Sequence, residues 1–87
     1  MPRVFIPALL RPLTSGQTEV EIEGSTVLGL IENLEARYPG FKDRLIDQGR
    51  LRPNIAIAVN DDIAPLGLNE AVAPGAEVHF IAAIRGG

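Results

Sequence analysis

The sequence predicts an α+β domain in which one main helix crosses a mixed sheet of four to five strands. Three observations carry that expectation. Residues 17–23 and 54–59 alternate with a period of two, residues 27–38 place apolar side chains at helical spacing, and the pieces between them are short and rich in turn formers. Strands that flank a single amphipathic helix leave both elements with one apolar side to bury, and packing helix on sheet satisfies both. With 87 residues there is room for one core, and a chain of this length buries only ~60–65% of its unfolded surface.

Arg3 to Leu10 is apolar on both parities, with Val4, Ile6 and Ala8 on one face and Phe5, Pro7 and Leu9 on the other, as in a central strand covered on both sides. Pro7 has no N–H to donate, so the ladder should break or bulge there. Arg11 to Gly16 supplies turn chemistry. From Gln17 to Glu23, Val20 and Ile22 point inward while Glu19, Glu21 and Glu23 point outward, which completes a hairpin with a long loop. Thr26 offers an N-cap hydroxyl, after which Val27, Leu30, Ile31, Leu34 and Tyr38 form one helical stripe. Pro39 stops that helix by pushing Tyr38 out of the α region.

A second, short helix is expected over Phe41 to Gln48, with Phe41 and Leu45 on one face and Gly49 closing it. Lys42, Arg44, Arg50 and Arg52 cluster around it as a solvated connection. In Asn54 to Val59, the large residues Ile55, Ile57 and Val59 alternate with Ala56 and Ala58. Asn60-Asp61-Asp62 then turns the chain, with the Asx side chains expected to bond their own backbone; the adjacent carboxylates lack further ligands at metal-binding spacing. Ile63 to Leu68 is an edge segment or loop, Pro74-Gly75 fits a type II turn, and Glu77 to Ala82 is the last strand, with Val78, Phe80 and Ala82 inward and His79 and Ile81 outward. Strand pair, helix, short helix and returning strands make a β-grasp pattern over residues 1–83, followed by a flexible tail at 84–87.

Composition bounds the function. Hydrophobic content of 46% and charged content of 22% suit a folded globule, and no apolar run approaches the ~20 residues of a bilayer-crossing helix. Met1-Pro2-Arg3 enters strand-like residues without the pattern of a signal peptide, so a cytoplasmic location is expected. The absence of cysteine removes disulfides, thiolate metal sites and cysteine nucleophiles, so any sulfur chemistry uses sulfur brought from outside. A net charge of −3 and a pI near 5.0 disfavour a nucleic-acid partner. His79 has no serine, cysteine or second histidine to work with, so no catalytic residue is assigned and no metal or bound cofactor is expected.

The chemistry is expected at the end of the chain, Ile84-Arg85-Gly86-Gly87. A terminal carboxylate is ionised at neutral pH and is a competent nucleophile toward an activated phosphate. Two glycines without Cβ let that carboxylate thread a channel too narrow for any side chain. By period-two parity, the sheet face away from the helix presents Phe5, Pro7, Ala56, Ala58, His79 and Ile81 beside the strand that launches the tail, a surface fit for a partner.

Over its full length the chain resembles the ubiquitin-like sulfur-carrier proteins, which include the molybdopterin synthase small subunit, the thiazole-pathway carrier and the cysteine-biosynthesis carrier. The resemblance lies in Ile6 to Pro12, Thr26-Val27 with Leu30, Ile31 and Leu34, Val59-Asn60-Asp61, and Pro74 to Val78 ahead of Gly86-Gly87. The Ile-Pro and Leu-Arg-Pro opening and the Tyr38-Pro39-Gly40 helix stop are most similar to the cysteine-pathway type. It implies a carrier without catalysis of its own. An E1-like enzyme would adenylate Gly87 with ATP, sulfur would replace AMP to give a thiocarboxylate, and an acceptor synthase of a cysteine, molybdopterin or thiamin type pathway would receive the sulfur. Arg85 departs from the small or apolar residue common in those carriers. Arg-Gly-Gly resembles the end of ubiquitin, so a protein modifier joined to lysines through Gly87 is the alternative, and a plain interaction module with an inert tail is a third.

Overall fold

The computed structural model describes residues 1–82. Seven strands and two α-helices follow in order: β1 (Arg3–Phe5), β2 (Glu19–Glu21), α1 (Val27–Arg37), α2 (Phe41–Leu45), β3 (Ile46–Asp47), β4 (Arg50–Leu51), β5 (Ile55–Val59), β6 (Asp62–Ile63) and β7 (Glu77–Ala82). Five of the strands form one sheet in the order β2-β1-β7-β5-β6, while β3 and β4 make a separate hairpin. β1 runs parallel to β7, and every other pairing is antiparallel, so the sheet is mixed. This is the β-grasp architecture expected from the sequence.

The helix forms where the apolar stripe and its cap agree. Thr26 Oγ1 accepts from the Gly29 N–H at 3.1 Å, satisfying one of the donors a helix start leaves unpaired. Val27, Leu30, Ile31 and Leu34 are fully buried against Val4, Val20, Ile22, Ile57, Val78 and Phe80 of the sheet's inner face. At roughly 1.5–3 kcal/mol per fully buried large apolar side chain, this contact is the main term opposing chain entropy. Tyr38 leaves the helix at φ −132°, ψ 85°, as Pro39 demands.

Four local features differ from expectation. β1 ends at Phe5 instead of Leu10; the last ladder bond is Ile6 N–H to the Thr18 carbonyl at 2.8 Å, Pro7 has no N–H to extend it, and Ala8–Thr14 closes into a 3₁₀ turn. That turn leaves Ala8 and Leu9 exposed and buries Leu10 instead. α2 stops at Leu45, because Gln48 and Gly49 both take positive φ (53° and 77°), the geometry of a two-residue hairpin turn, and turn the chain into β3 and β4. Asn60 does not bond its own neighbours: its Oδ1 accepts from the Glu77 N–H at 2.9 Å while its own N–H donates to the Glu77 carbonyl at 2.8 Å, tying the β5–β6 turn to the start of β7. Ile55 and Val59, expected in the core, are half-buried at its margin, and Ile46, Val72 and Ala76 complete it.

Candidate functional site

β7 is the central strand that the candidate site is built on. It is hydrogen-bonded on both sides, to β1 and to β5, so its outward side chains are held in fixed rows. Partners in register share a face, and the pairs therefore place Glu21, Arg3 and Glu77 in a first row, Glu19, Phe5, His79, Ala58 and Ile63 in a second, and Ile81 and Ala56 in a third, nearest the end of β7. All lie on the side opposite α1, since Val4, Val78, Phe80 and Ile57, of the other parity, are buried beneath it.

The second row is apolar at its centre. The rings of Phe5 and His79 are stacked with centroids 4.2 Å apart and planes 3° from parallel. Beside them Ile81 is 42% exposed and Ile63 is 60% exposed, while Phe5, Pro7, Ala56 and His79 are half-buried. Ala58 differs from the expectation of an exposed contact residue: only 6% of it is accessible, because its small side chain lies between His79 on one neighbouring strand and Ile63 on the other. Ala58 thus backs the surface instead of forming it. Ile63 takes its place in the row, a residue the sequence left on an irregular edge; the two-residue Asn60-Asp61 turn that fixes its register, with φ 51° and 73°, was the signal available.

The first row is charged. Arg3 Nε lies 3.3 Å from Glu19 Oε2, and its Nη1 is 4.0 Å from Glu77 Oε2. At the other end, next to the stacked rings, Phe5, Ile6, Pro7, Arg11, Thr18, His79 and Phe80 line a shallow cleft. Arg11, which the sequence read only as part of a turn, is half-buried there and donates from Nε to the Ile6 carbonyl at 3.0 Å. Its placement follows from the 3₁₀ turn after Pro7, which sequence periodicity does not reveal.

The basic cluster is part of the scaffold. Arg52 donates to the Asp43 carbonyl from Nε at 3.0 Å and from Nη2 at 2.7 Å, and Lys42 Nζ is 3.4 Å from Glu32 Oε1; Arg44 and Arg50 are exposed. Among the described residues no group of three His, Asp or Glu side chains is arranged to hold a metal ion, and no helix is long and apolar enough to cross a membrane. Arg85, Gly86 and Gly87, and the boundary placed between residues 83 and 84, lie outside the described residues. The described arrangement is a partly apolar open sheet face, charged at one end, that runs to the last described residues of β7.

The chain was compared with known proteins. The family model described as the ThiS family matches residues 4–87. The sulfur carrier protein CysO of Mycobacterium tuberculosis is 40% identical over 89 residues, covering 97% of this chain and 96% of that one. Among solved structures, the Amycolatopsis orientalis BexX/CysO complex contains a chain that superimposes with a TM-score of 0.92 at 36% identity, each chain covered over 100% of its length. The Mycobacterium tuberculosis CysO crystal structure gives 0.90 at 38% identity, covering 97% of this chain and 100% of that one.

Proposed function

Because this chain belongs to the ThiS family and is a sulfur carrier, a substrate-like protein and not a catalyst, we propose that its reacting group is the α-carboxylate of Gly87. The observation that supports this reading is the span of the family match, residues 4–87, which includes the terminal Gly-Gly. One carboxylate oxygen of Gly87 attacks the α-phosphorus of ATP on an E1-like partner, and pyrophosphate leaves. Sulfur at the sulfide level, as HS−, then attacks the acyl carbon of the adenylate, forming a C–S bond as AMP departs, and the thioacid loses its proton. The resulting thiocarboxylate is passed to an acceptor synthase. The resemblance to CysO favours a cysteine-type acceptor over a molybdopterin or thiamin type.

A carrier of this kind has no use without a partner enzyme, and the open sheet face is the surface we assign to the activating one. Ile81, Phe5 and Pro7 give it an apolar centre, and it includes the last stretch of β7, the strand that residues 83–87 follow in sequence. Arg85 and Gly86 would lie in the entrance to the nucleotide site, where absence of a Cβ at Gly86 lets the backbone pass.

The test is direct. Deleting Gly87, or replacing Gly86 by valine, should leave the thermal unfolding transition where it is and abolish ATP–pyrophosphate exchange by the partner. Retained adenylation in the deletion variant would sink the proposal. Intact-mass measurement of protein taken from its native cells should show one oxygen exchanged for sulfur, whereas a mass increment matching an isopeptide-linked target would favour protein modification.

A further inference from the structure

The open face is polarised along its strands, and the polarity has an unexplained end. Glu21 and Glu77 flank a single cation, Arg3, in the row where β7 begins, and the Glu19 carboxylate reaches back to it from the next row, 3.3 Å from Arg3 Nε. Arg11 lies toward the end where β7 finishes, in the cleft beside the Phe5–His79 stack, and among the described residues Arg44 lines the neighbouring groove at that end. The chain carries 11 acidic side chains against 8 lysines and arginines, yet no carboxylate among the described residues forms an ion pair with Arg11. Arg37, Arg44, Arg50 and Arg52 also have no such partner, but Arg37, Arg44 and Arg50 are exposed and solvated by water, and half-buried Arg52 donates from both Nε and Nη2 to the Asp43 carbonyl. Arg11 is half-buried beside the Phe5–His79 stack, and its Nε is already committed to the Ile6 carbonyl, which fixes the plane of the guanidinium. The remaining N–H donors of a guanidinium are arranged as a fork that matches a carboxylate.

We propose that the face docks on the activating enzyme in one orientation. Arg11 receives a carboxylate side chain of that enzyme near the entrance of its nucleotide site, and Glu19, Glu21 and Glu77 meet cationic side chains farther from it. This rests on the assignment of the open face to the activating enzyme. The argument is charge complementarity: an apolar centre such as Ile81 and Phe5 supplies affinity without direction, while charges of opposite sign at its two ends penalise the reversed orientation, in which like charges would meet. Orientation matters here because only one of the two brings residues 83–87 to the nucleotide.

The experiment uses the full chain and the purified adenylating partner from the same cells, with Kd measured by calorimetry at about 50 mM and about 0.5 M NaCl, ionic strengths chosen to leave and then remove most screening-sensitive attraction. Arg11→Gln removes the charge but leaves a side-chain N–H able to reach the Ile6 carbonyl. It should bind about tenfold more weakly at low salt and lose much of the parent's salt dependence. Arg11→Lys should fall between the two, and the combined Glu19→Gln, Glu77→Gln variant should also weaken binding several-fold. Amide NMR spectra confirm that each variant is folded before binding is read. If Arg11→Gln binds like the parent while Ile81→Asp does not, the polarity is overturned and the docking face stands. If both bind like the parent, the docking face falls as well.

Discussion

Glu35 shows how one side chain joins two elements. It lies in α1 and is followed by the Pro39-Gly40 break, after which α2 starts with Gly40, a cap residue that has no side chain to offer. The Glu35 carboxylate supplies what is missing: it accepts from the Lys42 N–H at 2.8 Å and from the Gly40 N–H at 3.1 and 3.2 Å. The Lys42 amide, then the Gly40 amide, hold its pKa below the usual 4.5. A depressed folded-state pKa means that this carboxylate contributes stability at pH values above its unfolded pKa and loses it as pH falls through the folded one. Glu35→Gln keeps an acceptor oxygen but not the charge. The gap in urea midpoint between parent and variant should therefore be constant near neutrality and close as pH falls below 4.5. A gap that stayed open in acid would assign the effect to packing.

At the scale of elements, the β5–β6 turn matters beyond its two residues, because Asn60 binds Glu77 through both its side chain and its backbone and so sets where β7 begins relative to β5. Asn60→Ala removes the acceptor for the Glu77 N–H and puts a poorer residue at φ 51°, which should cost about 1–2 kcal/mol in thermal unfolding. Asn60→Asp, which keeps the acceptor, should cost less. The Val59-Asn60-Asp61 turn was legible in the sequence; its long-range bond was not, because only the fold brings residue 77 beside it. The same division runs through the other elements. Val27, Leu30, Ile31 and Leu34 were readable because helical period and burial coincide. Leu9 and Leu10 misled, since two apolar residues after Val4, Phe5 and Ile6 look like continued strand, and only the missing N–H of Pro7 decides otherwise. Ala58 misled for a different reason: parity gives the face a side chain is on, while its exposure depends on the size of its neighbours His79 and Ile63.

On the scale of the whole molecule, one sheet serves two purposes, and adjacent residues of β7 separate them. Phe80 points toward α1 and is 5% exposed; Ile81 points away and is 42% exposed. Placing a carboxylate at Phe80 leaves an unpaired charge in the only core so small a chain can build, so Phe80→Asp should cost more than ~3–5 kcal/mol, the range for truncating a buried aromatic alone, and prevent folding. The same carboxylate at Ile81 faces water in the free protein and should cost less than ~1 kcal/mol in unfolding measurements. Its effect should appear on docking, where desolvating the charge against the activating enzyme weakens binding by more than ~1–2 kcal/mol, the scale of an interface hot spot. Calorimetric Kd and thermal unfolding of Ile81→Asp and Phe5→Asp, measured side by side, therefore separate a recognition surface from a structural one. Tight binding by a folded Ile81→Asp protein would move the search to the other side of the same sheet end, where Pro7, Leu9, Leu10, Leu45 and Ile55 line a groove next to the last described residue of β7.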